Sequence, residues 1–126
     1  MSYQLRVQET PGYVHILVTG ANTPEVVRGY LREVLEICAR GRCTGVLIEE
    51  NLTGPGINLA QIYNIVSEGS GRRLAHLLKI AFVNSNTAHP VANVKFAETV
   101  ARNRGINVRA FSDVVQAGAW LCEEKD

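Results

Sequence analysis

The sequence predicts an α/β domain on a five-stranded, mostly parallel sheet whose first strand alone runs antiparallel. Three observations lead there. Apolar runs of strand length alternate with amphipathic stretches of helix length, in the order β-β-α-β-α-β-α-β-α. A Pro-Gly break, too short for a crossover, separates the first two runs, so these two pair antiparallel. Each later pair of runs is separated by a helix, which calls for a right-handed crossover between parallel strands.

The first strand is carried by the alternation of Leu5 and Val7, and Thr10-Pro11-Gly12 turns the chain into a second strand over 13–19. Gly20-Ala21-Asn22 reads as its exit loop. Thr23 caps the first helix and Pro24 sits at its first position, where a missing N–H costs nothing. Val27, Tyr30, Leu31, Val34, Leu35 and Cys38 form the inward stripe, and Gly41 suits a left-handed stop. A short strand over 45–49 leads into a loop over 50–56. Asn58 caps the second helix with Gln61 as its reciprocal partner, and Leu59, Ile62, Tyr63 and Val66 make the buried stripe. Gly69-Ser70-Gly71 breaks that helix and leaves 72–77 as a separate turn. A strand over 78–83 ends in the polar loop Asn84-Ser85-Asn86-Thr87. The third helix runs from about Ala88 to Arg104, with Pro90 in its first turn, Phe96, Ala97, Val100 and Ala101 facing inward, and Gly105 as its stop. A strand over 107–111 and a helix capped by Ser112 or Asp113, with Val114, Ala117, Trp120 and Leu121 inward, complete the chain. No linker or repeat interrupts it, so residues 1–126 form one domain.

The strands alternate in polarity. Val14, Ile16 and Val18 share one face, while Tyr13, His15, Leu17 and Thr19 share the other; Ile80 and Phe82 oppose Lys79, Ala81 and Val83 in the same way. Parallel sheets covered on both faces carry near-continuous apolar strands. One face is therefore expected to pack under helices and the other to be only partly covered. Leu17, Ala81, Val83, Tyr13 and Phe111, mixed with His15, Lys79 and Arg109, would make a patch through which the chain is expected to pair as a homodimer.

Composition narrows the function classes. Thirteen Lys and Arg oppose twelve Asp and Glu, and the longest basic cluster is Arg72-Arg73, which argues against nucleic acid as a partner. No apolar run approaches the length of a membrane span, and the opening residues lack a secretory pattern. Cys38, Cys43 and Cys122 are odd in number and irregular in spacing, which favours a reducing, cytoplasmic compartment over a disulfide framework. The three histidines lack metal-site spacing, and Gly69-Ser70-Gly71 lacks the Lys-Ser/Thr ending of a phosphate loop, so no metal or cofactor is expected.

The element order and the closing segment 108–121, with Phe111, Asp113, Ala117 and Trp120-Leu121, resemble the STAS-domain or SpoIIAA-like family, in particular uncharacterised members. The topological likeness covers nearly the whole chain. It implies a non-enzymatic regulatory or protein-interaction module that acts on an unknown protein partner. STAS-type antagonists carry a phosphorylatable Ser or Thr at the start of the helix after the third strand. Here that place holds Gly54-Pro55-Gly56-Ile57-Asn58, with Thr53 the nearest hydroxyl. Thr53 lies about five residues early and precedes Gly-Pro, so it reads as a loop former rather than a phosphorylation site.

Ligands of parallel α/β sheets gather at the carboxyl ends of the strands. The residues expected there are Asn51, Thr53, Asn58, Asn84, Ser85, Asn86, Thr87 and His89, as turn formers and caps or as a shallow polar site. No catalytic residue stands out. Glu49 and Glu50, with His89 as a partner, could suggest acid–base chemistry, but strand alternation sends adjacent carboxylates to opposite faces. Two further functions therefore stand beside the regulatory one. The chain could bind a small apolar ligand or lipid, by analogy with lipid-transfer domains of related α/β organisation, or it could be an enzyme with a site at the carboxyl edge. A closed apolar pocket beneath the helices would favour ligand binding; a solid core would favour a protein partner.

Overall fold

A computed structural model describes residues 3–54, 56–86 and 90–123. Its elements follow the predicted order: β1 (Tyr3–Thr10), β2 (Tyr13–Ala21), α1 (Pro24–Gly41), β3 (Gly45–Thr53), α2 (Leu59–Ser70), a 3-10 turn (Arg73–Leu77), β4 (Lys79–Asn84), α3 (Val91–Asn103), β5 (Asn107–Phe111) and α4 (Val114–Leu121). The strands lie side by side in sequence order. β1 is antiparallel to β2 and the rest are parallel. Pro11 and Gly12 alone join β1 to β2, with Thr10 opposite Tyr13 and Gly12 at φ +93°, a conformation that glycine adopts without strain.

Because each crossover steps to the next strand in the same direction, right-handedness places α1, α2 and α3 on one face. Val14, Ile16, Val18, Val46, Ile48 and Leu52 point to that face and pack with Val27, Tyr30, Val34, Cys38 and Ile65. After β5, α4 folds onto the other face. There Leu47, Ala81 and Val83 are closed over by Ala117 and Leu121, with Tyr13, Phe111, Val114 and Trp120 around them. The approach is close enough that a Cβ on Gly118 would stand 2.7 Å from the Tyr13 hydroxyl. Three helices against one is the unequal cover that the alternating strands predict. Ala81 and Val83, expected in an open patch, are instead core residues under α4.

Several boundaries differ from the sequence reading for identifiable reasons. Residues expected in the loops after β2 and β3 extend both strands, since Val18 to Ala21 pair in register with Glu50 to Thr53. Strands that lengthen together satisfy each other's backbone groups, and Leu52 in this extension is fully buried. The left-handed stop of α1 is Arg42, at φ +55°, rather than Gly41. The stop is a Schellman turn, in which the Cys43 amide donates to the Cys38 carbonyl at 3.0 Å. α2 buries Ile62 and Ile65, whereas Leu59 and Tyr63 are exposed. Tyr63 faces sideways toward α3, where its hydroxyl accepts from Arg104 at 2.8 Å and its ring lies under the guanidinium. α3 begins at Val91 with Pro90 as its cap, so Pro90 precedes the first turn; the start expected at Ala88 lies outside the described residues.

Candidate functional site

Between the sheet and its three-helix cover lies a cavity of about 310 Å³. It runs the length of the strands, from Leu78 and Ile106 at the amino ends of β4 and β5 to Asn22, Gly56 and Pro90 at the carboxyl edge. Val46 and Ile48, Ile80 and Phe82, and Val108 and Ala110 form its floor. Native interiors pack to crystal-like density with few voids larger than a water molecule. A space of this size lies at the small end of the range for ligand sites. Its cause is visible in the helices. α3 presents Ala97 and Ala101 to the floor and α2 presents Gly69, so short side chains meet where long ones would have filled the gap.

Polar groups are few and concentrated toward one end. The inward alternation of β3, Val46-Ile48, continues to Glu50, whose register partner on β4 is Asn84. From α1 the buried Tyr30 donates its hydroxyl to the Glu50 carboxylate. Burial raises the Glu50 pKa above its ordinary value, and the Tyr30 hydrogen bond partly offsets this. The Tyr30 phenol is pushed well up, first by its own burial and then by the neighbouring Glu50 charge. Across the cavity Glu98 on α3 accepts the Ala110 amide at 2.7 Å, which pins α3 to β5, and Lys95 lies 3.6 Å from its other oxygen. Asn93 donates to the Ile57 carbonyl at 3.4 Å and ties α3 to the α2 approach.

The carboxyl-edge residues read from sequence have mostly structural roles. Asn58 and Gln61 form the reciprocal cap of α2. Asn86 donates to the Leu52 carbonyl at 2.6 Å, and the Ser85 amide donates to the Glu50 carbonyl at 2.9 Å. Thr53 and Asn51 belong to β3 rather than to a loop; the Thr53 hydroxyl is exposed and donates to the Gly20 carbonyl at 3.4 Å. Of the described members of that set, Asn84 alone lines the cavity. Its Oδ1 accepts from the Asn86 amide at 3.1 Å. Thr87 and His89 lie outside the described residues.

Glu49 and Glu50 take opposite faces, as alternation requires. Glu49 meets His15 Nε2 at 2.8 Å on the α4 side, with the sheet between it and Glu50. Burial, with Cys43 beside it, pushes the Cys38 thiol up to about 12, which disfavours the thiolate. Tyr30 was legible only as a member of an apolar stripe, and Glu50 as a loop residue and as half of an acid–base pair that strand alternation disfavours. The signal that could have found them is an acid at an inward position of a strand, opposite the one phenol of the helix that covers it.

No family model matches the chain, and no curated protein matches it. Among solved structures it is similar to one described as the NMR structure of the protein TM1081, with a TM-score of 0.55 and 14% identity, covering 96% of this chain and 90% of that one. At that identity the likeness establishes the class of fold, a five-stranded α/β domain.

Proposed function

We propose that this chain is a binding domain for a small, mainly apolar ligand held between the sheet and α1, α2 and α3. The observation that carries this reading is the 310 Å³ cavity, apolar along its floor and helical walls, with Glu50, Tyr30 and Asn84 gathered at its carboxyl end. Small-molecule sites have this composition: an apolar body for affinity and a few polar groups for orientation. The carboxyl edge is also where ligands enter parallel sheets. Leu59 and Val91, the first residues of α2 and α3, stand at that edge 49% and 73% exposed, apolar surface suited to an entering hydrocarbon. A solid core would have favoured a protein partner; the void favours a ligand.

Titration with the fluorescent apolar probe N-phenyl-naphthylamine tests the reading. The wild type should bind it with enhanced, blue-shifted emission, and Ala97→Phe, which places a ring in the cavity, should abolish binding while leaving the circular dichroism unchanged. A wild type that leaves the probe dark, or a folded Ala97→Phe that binds it equally well, would overturn the proposal.

A further inference from the structure

Resting on that cavity reading, we infer that the polar end of the ligand is a hydrogen-bond donor, an alcohol or an amine, and not a carboxylate or phosphate. The inference comes from an inventory of the wall. Two carboxylates line the cavity, Glu50 and Glu98, and no Lys, Arg or His is among the described lining residues. Proteins that hold fatty acids or phosphate esters by their heads need a cation or a cluster of N–H donors to replace the water that the anion leaves behind. Here most of the potential donors are already engaged. Tyr30 has one hydroxyl proton and gives it to Glu50. Asn93 turns an N–H to Ile57, which leaves its oxygen as an acceptor, and Ser70 spends its hydroxyl on the Ser67 carbonyl at 2.9 Å. Lys95, the cation beside Glu98, is on the exposed side of α3.

Acceptors remain in excess. A carboxylate offers about four lone-pair positions. The bond from Tyr30 occupies one at Glu50, and the Ala110 amide occupies one at Glu98. A ligand hydroxyl can donate to Glu50 while taking a bond from the Asn84 carboxamide, whose own oxygen is already committed to Asn86. An ammonium adds charge attraction, strengthened by the low dielectric of the apolar surroundings. A ligand carboxylate would instead stand against Glu50 with no cation among the described lining residues to separate them, and like charges brought together in this way repel.

The test compares three probes of equal chain length, octanol, octylamine and octanoate, by calorimetric titration at neutral pH. Octanol and octylamine should each bind at least about tenfold more tightly than octanoate. Glu50→Gln, nearly isosteric and still able to accept from Tyr30, should erase most of that discrimination by improving octanoate and weakening octylamine. Glu98→Gln serves as a second variant with the same expected direction. The wild-type ratio is decisive even if a variant fails to fold. Octanoate binding as tightly as octanol, or a ratio unchanged in both folded variants, would refute the donor-head assignment and leave the cavity reading standing. Failure of all three probes to bind would sink both.

Discussion

Glu50 is placed where a hydrophobic residue would be expected. The positions before and after it on the same face of β3 are Ile48 and Leu52, both buried, and the residue facing it from α1 is the buried phenol of Tyr30. Burying a carboxylate among such neighbours costs free energy that one hydrogen bond does not recover, which is why its pKa is raised. The consequence for folding has a definite sign. Well below pH 4.5, the ordinary glutamate value, folded and unfolded chains both hold the proton and the site carries no ionic penalty. As pH rises through that value the unfolded chain releases its proton first, so stability falls until the folded carboxyl ionises as well. Glu50→Gln removes this fall. Urea unfolding across the pH range should show wild type and variant close together in acid, with the variant gaining steadily toward neutrality. Parallel stability curves would show that Glu50 is not desolvated as described. A residue that lowers the stability of the empty protein is what a binding group in an apolar site looks like, since a partner is needed to offset its burial.

At the scale of the elements, sequence patterns located every helix and strand but misjudged where they stop and which way they turn. Caps were legible because they depend on neighbours in the chain: Thr23 accepts the Val26 amide, Asn58 the Gln61 amide and Asp113 the Gln116 amide. The Phe111-to-Leu121 pattern was legible for the same local reason, and its parts now have causes. Asp113 is a cap, Ala117 is fully buried with Leu47, Ala81 and Val83, and Trp120 packs on Phe111 with Lys79 over its ring. Strand extension was not legible, because Glu50 to Thr53 become a strand only by pairing with β2. Nor was the rotation of α2, which Arg104 on another helix influences by holding Tyr63. Arg42 shows how a local rule can be satisfied by an unexpected residue. It holds a left-handed conformation that a side chain disfavours by about 1–2 kcal/mol, while glycine there would lose about 0.5–1 kcal/mol to its greater freedom when unfolded. Arg42→Gly should therefore raise stability by up to about 1 kcal/mol, read as a higher urea midpoint at constant slope. A lowered midpoint would mean that the Arg42 side chain makes a contribution absent from this account.

Across the whole molecule the two faces of the sheet have different tasks. The face under α1, α2 and α3 is left incompletely filled and holds the cavity, whereas the other face is covered in part by a single short helix. Alternating polarity in the strands predicted that inequality, but it could not say whether the thinner cover came from α4 or from a second copy of the chain, since either buries the same residues. α4 lies over this face: Leu47, Ala81 and Val83 are 1%, 0% and 2% exposed, so Ala81 and Val83 of the patch behind the expected dimer are covered, while Tyr13, Leu17 and Phe111 stay half-buried. What α4 leaves uncovered toward β1 is polar, with Arg6 exposed and His15 and Glu49 paired beside the half-buried Leu17. Removing residues 113–126 should reopen the patch without removing any strand. The three uncovered side chains, each worth up to about 1.5–3 kcal/mol when fully buried in the case of Leu47 and Val83, would then favour association. In sedimentation experiments at matched concentrations the full chain should remain a monomer and the shortened chain should self-associate, with its β-sheet signal retained. A full chain that dimerises under the same conditions, or a shortened chain that stays folded and monomeric, would show that α4 is not what keeps this face from pairing.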